Sequence, residues 1–253
     1  MMTFEDLLHE IYALSKDHHE HFDDRFNFAK EKYGVRYLEY LKSNFCKNAL
    51  YQFGVNIFPL TQRMIIPIYH QGHLVGLSGR ITSQHGQKKE RTKYYFVIKE
   101  KSKYLFAHKN FQPKDNIVVT EGYVDTMRID IATGKSVVSI MGSKISYEQI
   151  EQLNQFGLPV YFALDGDMAG IKGTLQLPIH KFNVPVFVYP LYADYDPDEL
   201  LLDGFVLPEP IPYAKWFVQT LAHLLKYNKM SKKEYYHQLV ISDYFDEYRK
   251  TLN

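Results

Sequence analysis

The 253-residue sequence contains a single cysteine, Cys46. That is too few for a disulfide within the chain or for a zinc site built from cysteines. Long apolar runs are also missing: no stretch approaches the ~18 uninterrupted apolar residues a membrane helix requires. Glu5 and Asp6 interrupt the N-terminus before the basic-then-apolar order of a secretion signal is established. Net charge is almost absent, with 30 Lys and Arg against 29 Asp and Glu. What is there is apolar and aromatic: 45% of residues are hydrophobic, and 17 Phe and 21 Tyr supply core material that a disordered chain lacks. The composition describes a globular protein of one large or two small domains, expected in the cytoplasm, without a membrane partner and without zinc. The clustered His18, His19 and His21 are flanked by solvating charges and have no further ligand type at finger-like spacing, so they are read as surface residues.

Local patterns divide the chain. Phe4, Leu7, Leu8, Ile11 and Leu14 recur at helical spacing behind Thr3, and Gly34 closes a second helix that starts near Asp23. A further helix is expected over residues 35–42. From residue 63 the period changes to that of strands. Residues 64–69 and 73–78, separated by Gln71-Gly72, read as a hairpin, with another strand at 94–98. Strands at 117–120, 136–140, 160–164 and 184–188 then alternate with helices at 123–132, 147–156 and from about 168. Continuous β-branched runs alternating with helices indicate a parallel sheet covered on both faces. Pro208 and Pro212 precede two tail helices, 214–227 and 232–248. The expected organisation is an N-terminal extension over 1–34, a mixed α+β subdomain over 35–112, an α/β core over 113–205 and a helical tail over 206–253.

Acidic residues mark the ends of the core strands. Glu121 follows the first strand directly, Asp165 and Asp167 follow the third, and Asp196 and Asp198 follow the fourth. Strand carboxyl ends are where open α/β sheets place their ligands. Asp125 lies one helical turn after Glu121, so both carboxylates can share a side. A lone Asp at a strand end commonly caps the next helix, and Asp167 suits that role. Paired acids at several strand ends exceed what caps need. Six crowded carboxylates require cations, and hard oxygen ligands select Mg²⁺ or Mn²⁺, here two or more ions.

Three segments carry a resemblance. They are Val118-Val119-Thr120-Glu121-Gly122-Tyr123-Val124-Asp125, Phe162-Ala163-Leu164-Asp165-Gly166-Asp167 and Asp196-Pro197-Asp198-Glu199-Leu200-Leu201. In order, they resemble the acidic motifs of the TOPRIM domain as found in bacterial DnaG-type primases. The form of the third motif, together with the run from Arg63 to Arg80, is similar to the primase polymerase core, and the likeness spans roughly residues 35–205. It implies a Rossmann-like parallel sheet beside a mixed α+β subdomain and a small C-terminal helical segment. It also implies synthesis of short RNA primers from ribonucleoside triphosphates on single-stranded DNA. Glu121, Asp165 and Asp167 would be catalytic. Those three with Asp125, Asp196 and Asp198 would hold metal. Arg63, Arg80, Lys93 and Lys144 would contact nucleic acid or nucleotide, and the basic segment that holds Arg80 and Lys93 adds Lys88, Lys89 and Arg91 to that set.

Charge is segregated in agreement with that reading. Residues 80–109 hold nine Lys and Arg against two Glu, whereas residues 115–203 hold 13 acids against five bases. A near-zero total is therefore a cancellation, and a cationic track can hold a phosphate backbone. The aromatics interleaved with it, Tyr94, Tyr95, Phe96, Tyr104 and Phe106, are expected mostly in the core. The family's N-terminal zinc-binding domain cannot be built from one cysteine, so another protein with a zinc domain supplies that role, initiation is relaxed or priming is impaired; a replicative helicase is the other partner the resemblance suggests. Two other readings of the same motifs are a TOPRIM metal-dependent nuclease and a non-catalytic DNA-binding accessory; the Arg63–Arg80 segment weighs against the first and the intact acids against the second.

Overall fold

The computed structural model describes residues 2–17, 20–82, 92–191, 195–227, 229–231 and 233–234. They form two compact units. One comprises Met1–Lys101 with Phe106–Phe111, the other Ser102–Leu105 with everything from Gln112.

The first unit opens with α1 (Phe4–Leu14), started by a capping box in which Thr3 and Asp6 exchange side-chain to backbone hydrogen bonds. A 3₁₀ turn (Asp24–Ala29) leads into the single-turn α2 (Lys30–Tyr33), which ends on left-handed Gly34. Residues 35–42 do not form the expected helix. Arg36–Leu38 is strand β1, bridged to Lys16 by two backbone hydrogen bonds of 2.8 and 2.6 Å, with Val35, Tyr37 and Leu38 fully buried. A short apolar run that packs on both sides is better served by a strand. The helix comes later, as α3 (Ser43–Phe53).

Strands β2 (Arg63–His70) and β3 (His73–Ile81) form the expected hairpin. Its two-residue loop places Gln71 and Gly72 at φ 49° and 82°, matching the twist of the flanking strands. With β4 (Tyr94–Ile98) the sheet order is β1-β2-β3-β4, all antiparallel. β1 covers only Arg63–Ile65, so Pro67, which lacks an N–H, sits where β2 has one neighbour. Leu7, Leu8 and Ile11 of α1 pack into one core with Leu38, Ile65, Leu77 and Val97. Residues 1–34 are thus integral to this unit.

The second unit is an α/β sheet with helices: β5 (Ile117–Thr120), α4 (Tyr123–Thr133), β6 (Val137–Ser139), α5 (Tyr147–Gln155), β7 (Val160–Phe162), α6 (Met168–Leu175), β8 (Val186–Val188), α7 (Pro197–Leu202), β9 (Ile211–Pro212) and α8 (Tyr213–Lys226). Strand order is β6-β5-β7-β8-β9, parallel except for the antiparallel β9. β9 was not legible in sequence, and it ties the tail to the sheet edge. Behind it α8 buries Tyr213, Trp216, Phe217, Leu221 and Leu224. The second expected tail helix lies outside the described residues apart from Lys233 and Glu234.

The chain steps from β5 outward to β6, then returns to the other side of β5 for β7. The carboxyl ends of β5 and β7 therefore flank the point where strand order reverses, where such sheets open a crevice. One glycine decides how closely the next helix approaches that point. A Cβ on Gly170 would collide with the Asp165 carbonyl oxygen and lie 2.8 and 2.9 Å from its carbonyl carbon and nitrogen. Backbone cannot retreat as a flexible side chain can. Gly170→Ala is expected to cost about 2 kcal/mol or more, read as a lowered thermal midpoint; an unchanged midpoint would show that α6 has freedom to slide.

Candidate active site

Glu121 leaves β5 under backbone control. Its carbonyl accepts hydrogen bonds from Ser139 Oγ at 2.6 Å and from the Gly142 N–H at 3.2 Å. Gly142 follows Met141, a non-glycine residue at φ 58°. Below it, Thr120 and Thr126 hydroxyls meet at 2.6 Å, and Thr126 also bonds the Gly122 carbonyl, fastening the first turn of α4 to the strand. Glu121 Oε1 is buried with no hydrogen-bond partner.

The acids expected at the rim lie within electrostatic reach of Glu121 or of Asp125. Burial pushes Glu121 up to about 7; the Asp165 backbone N–H holds it down in part, and the charges of Asp167 and Asp125 raise it further. Burial likewise pushes Asp125, only 8% exposed, up to about 7. Asp165 and Asp196 add to the rise, the Asp198 backbone N–H opposes it, and the Asp198 charge adds a smaller contribution. Gly122 makes the close approach possible, since a Cβ there would stand 2.7 Å from Asp125 Oδ2.

Two of the acids also cap helices. Asp167 Oδ1 accepts from the Gly170 N–H at 2.7 Å at the start of α6, and Asp196 Oδ1 accepts from the Glu199 N–H at 2.7 Å at the start of α7. Capping and ligation are compatible, because each cap bond uses one oxygen of two. Loops are tied together as well, by the Gly166 N–H donating to the Tyr195 carbonyl at 2.8 Å. Asp198 is differently engaged: its Oδ1 accepts from Arg128 Nε at 2.6 Å. Arg128 was not singled out from sequence, although its spacing of three from Asp125 places it on the same face of α4.

A divalent cation fits this chemistry. Every donor is a carboxylate, Glu121 Oε1 is buried and unsatisfied, and two carboxyls are raised to about 7 by burial first and by neighbouring acids second. Among the described residues no three His, Cys, Asp or Glu side chains are grouped closely enough to hold a metal ion by themselves. Mg²⁺ suits such an open set, since it usually keeps several waters and shares phosphate oxygens with a substrate.

Candidate cations fare unevenly. Arg63 is corrected outright: it is 2% exposed, and its guanidinium donates to the carbonyls of Pro59, Gly79, Thr92 and Lys93 at 2.7–3.2 Å. It clamps the β2–β3–β4 turn region in a space that Gly79 leaves open, and is no exposed phosphate ligand. Arg80 bonds the Tyr94 hydroxyl at 2.9 Å and lies over the rings of Phe26 and Tyr94. Lys93 and Lys144 are exposed. Lys144 lines a cavity of about 460 Å³ with Ser143, Ser146, Leu164 and Gln176. Lys88, Lys89 and Arg91 lie outside the described residues. Of the interleaved aromatics, Phe106 is fully buried, Tyr94, Tyr95, Phe96 and Tyr104 half-buried.

Residues 118–201 match the family model described as Toprim-like. DNA primase of Staphylococcus aureus strain MSSA476 is 31% identical over 191 residues, covering 70% of this chain and 31% of the relative. DNA primase of Staphylococcus epidermidis is 32% identical over 146 residues, covering 55% and 24%. The chain thus spans about a third or less of the length of the curated relatives it matches. The RNA polymerase domain of Mycobacterium tuberculosis primase DnaG superposes with a TM-score of 0.72 at 16% identity, over 100% of this chain and 99% of that one. Aquifex aeolicus primase superposes at 0.63 with 21% identity, over 79% and 57%. The fold is that of the DnaG catalytic core.

A buried carboxyl with a raised pKa binds in the folded state a proton that the unfolded state has already released, so stability is lost as pH rises from the ordinary carboxylate range through about 7. Asp125→Asn is therefore expected to stabilise the metal-free protein increasingly between about pH 5 and pH 8, by roughly 2 kcal/mol at the upper end. Thermal unfolding across that range checks this; a gain independent of pH would contradict it. Saturating Mg²⁺ should narrow the gap by stabilising the wild type.

Proposed function

We propose that this chain is a DNA primase-type nucleotidyltransferase that joins ribonucleotides on a single-stranded DNA template. The observation that carries the reading is the buried, unsatisfied Glu121 Oε1 set among mutually repelling carboxylates at the switch point of the sheet. The similarity to staphylococcal DNA primases and to the DnaG core fold supports it. A Mycobacterium tuberculosis relative with the same fold was solved in complex with double-stranded DNA, which supports a nucleic-acid partner. Among the described residues no helix is long and apolar enough to cross a membrane.

In this reading Glu121, Asp165, Asp167 and Asp196 hold Mg²⁺ or Mn²⁺, which would offset charge on the transferring phosphoryl group and the departing pyrophosphate. Glu121, whose carboxyl burial raises to about 7, accepts the proton of the attacking 3′-hydroxyl when it is ionised. Asp125 is too buried to meet substrate and instead sets the field felt by its neighbours. Exposed Lys144 and Lys93 attract phosphates, and Arg80, stacked on Tyr94, offers a guanidinium to the template backbone.

Purified protein incubated with single-stranded DNA, labelled ribonucleotides and Mg²⁺ or Mn²⁺ is expected to make short RNA, and Asp165→Ala should lower the yield roughly 100-fold or more. Cleavage of the DNA in place of synthesis would favour a nuclease. Absence of both, with DNA still bound, would favour an accessory role.

A further inference from the structure

Arg128 is paired with one carboxylate of the rim. It lies on α4 one turn beyond Asp125, and its Nε donates to Asp198 Oδ1 at 2.6 Å with both side chains about 20% exposed. A bond also runs the other way, from the Asp198 backbone N–H to Asp125 Oδ1 at 3.3 Å. The two contacts form a reciprocal staple between α4 and the first turn of α7. The Arg128 contact is short, charge-assisted and largely shielded from water, the conditions under which such a pair persists. An acid neutralised in this way has its counter-ion covalently supplied by the chain, so it is a poor competitor for a dissolved one.

Resting on the reading of this rim as a metal-dependent centre, we propose that Arg128 is a positioning residue that reserves Asp198 from the metal set. It serves as a tethered cation, leaves Glu121, Asp165, Asp167 and Asp196 to the divalent ions, and fixes α7 so that Asp196 and the Asp198 N–H keep their aim. The role of Asp198 expected from the acidic motif, as a metal ligand, is replaced by that of an anchor. Lysine preserves the charge though not the planar geometry, so Arg128→Lys retains most of the effect.

Titration of the full chain with Mn²⁺ at neutral pH, following free Mn²⁺ by electron paramagnetic resonance, tests this without recourse to catalysis. Asp198→Asn keeps an oxygen acceptor for Arg128 and is expected to leave Mn²⁺ affinity within about twofold of wild type. Arg128→Gln releases the Asp198 carboxylate toward the ions and is expected to tighten Mn²⁺ roughly tenfold; that gain should vanish when Asp198→Asn is added. Arg128→Lys should stay near wild type. A tenfold loss of affinity in Asp198→Asn would make Asp198 a ligand and overturn the proposal. So would a gain in Arg128→Gln that survives in the double variant, since it would reflect distant charge alone. Circular dichroism verifies folding; should Arg128→Gln not fold, the Asp198→Asn and Arg128→Lys arms still decide. A wild type that binds no Mn²⁺ defeats the functional reading as well, whereas Mn²⁺ binding and primer synthesis by a wild type whose Asp198→Asn variant loses affinity defeats this assignment only.

Discussion

Carboxylates that cannot leave one another, held at the end of a sheet where water is scarce, set the terms for the larger unit. Glu121 and Asp125 are each driven toward neutrality by burial first and by neighbouring charge second. Left to solvent, such groups would disperse, because desolvating an isolated carboxylate is costly. They stay because the backbone that carries them is fixed by contacts that do not depend on their charge: Ser139 and Gly142 on the Glu121 carbonyl, the Thr120–Thr126 pair beneath, and the close seat of Gly170 on Asp165. The fold holds the cluster in place, and its crowded charge is what a bound cation would offset.

The helix starts reinforce this arrangement. Asp167 and Asp196 each use one oxygen to cap a helix, which orients the carboxylate and leaves the second oxygen for another partner. Capping at these positions therefore does not preclude ligation. The same economy appears in the smaller unit, where Arg63 gathers carbonyls from both ends of the hairpin and from the start of β4, a use of guanidinium that stabilises the sheet from inside.

Much of this was legible in sequence because periodicity and strand-end chemistry are local signals. The β5-to-β8 alternation, the hairpin at Gln71-Gly72 and the placing of acids after β5, β7 and β8 all follow from short stretches. What was missed depends on contacts between distant segments. Within 35–42 the chain forms the strand Arg36–Leu38 because Tyr37 finds Lys16 and β2 needs a partner, neither visible within the run. β9 is two residues long and exists only through pairing with β8. Arg63 looked like a phosphate ligand because a cation in a family-like motif carries no mark of burial. Arg128 was passed over because its partner lies 70 residues away.

The central claim is that Glu121 belongs to a cation. Crystals soaked in MnCl₂ and measured at the manganese absorption edge address it directly. The account predicts an anomalous peak against the Glu121 and Asp165 carboxylates that disappears in Glu121→Gln. A peak that persists in that variant, or ions that gather elsewhere on the chain while Glu121 stays bare, would contradict it.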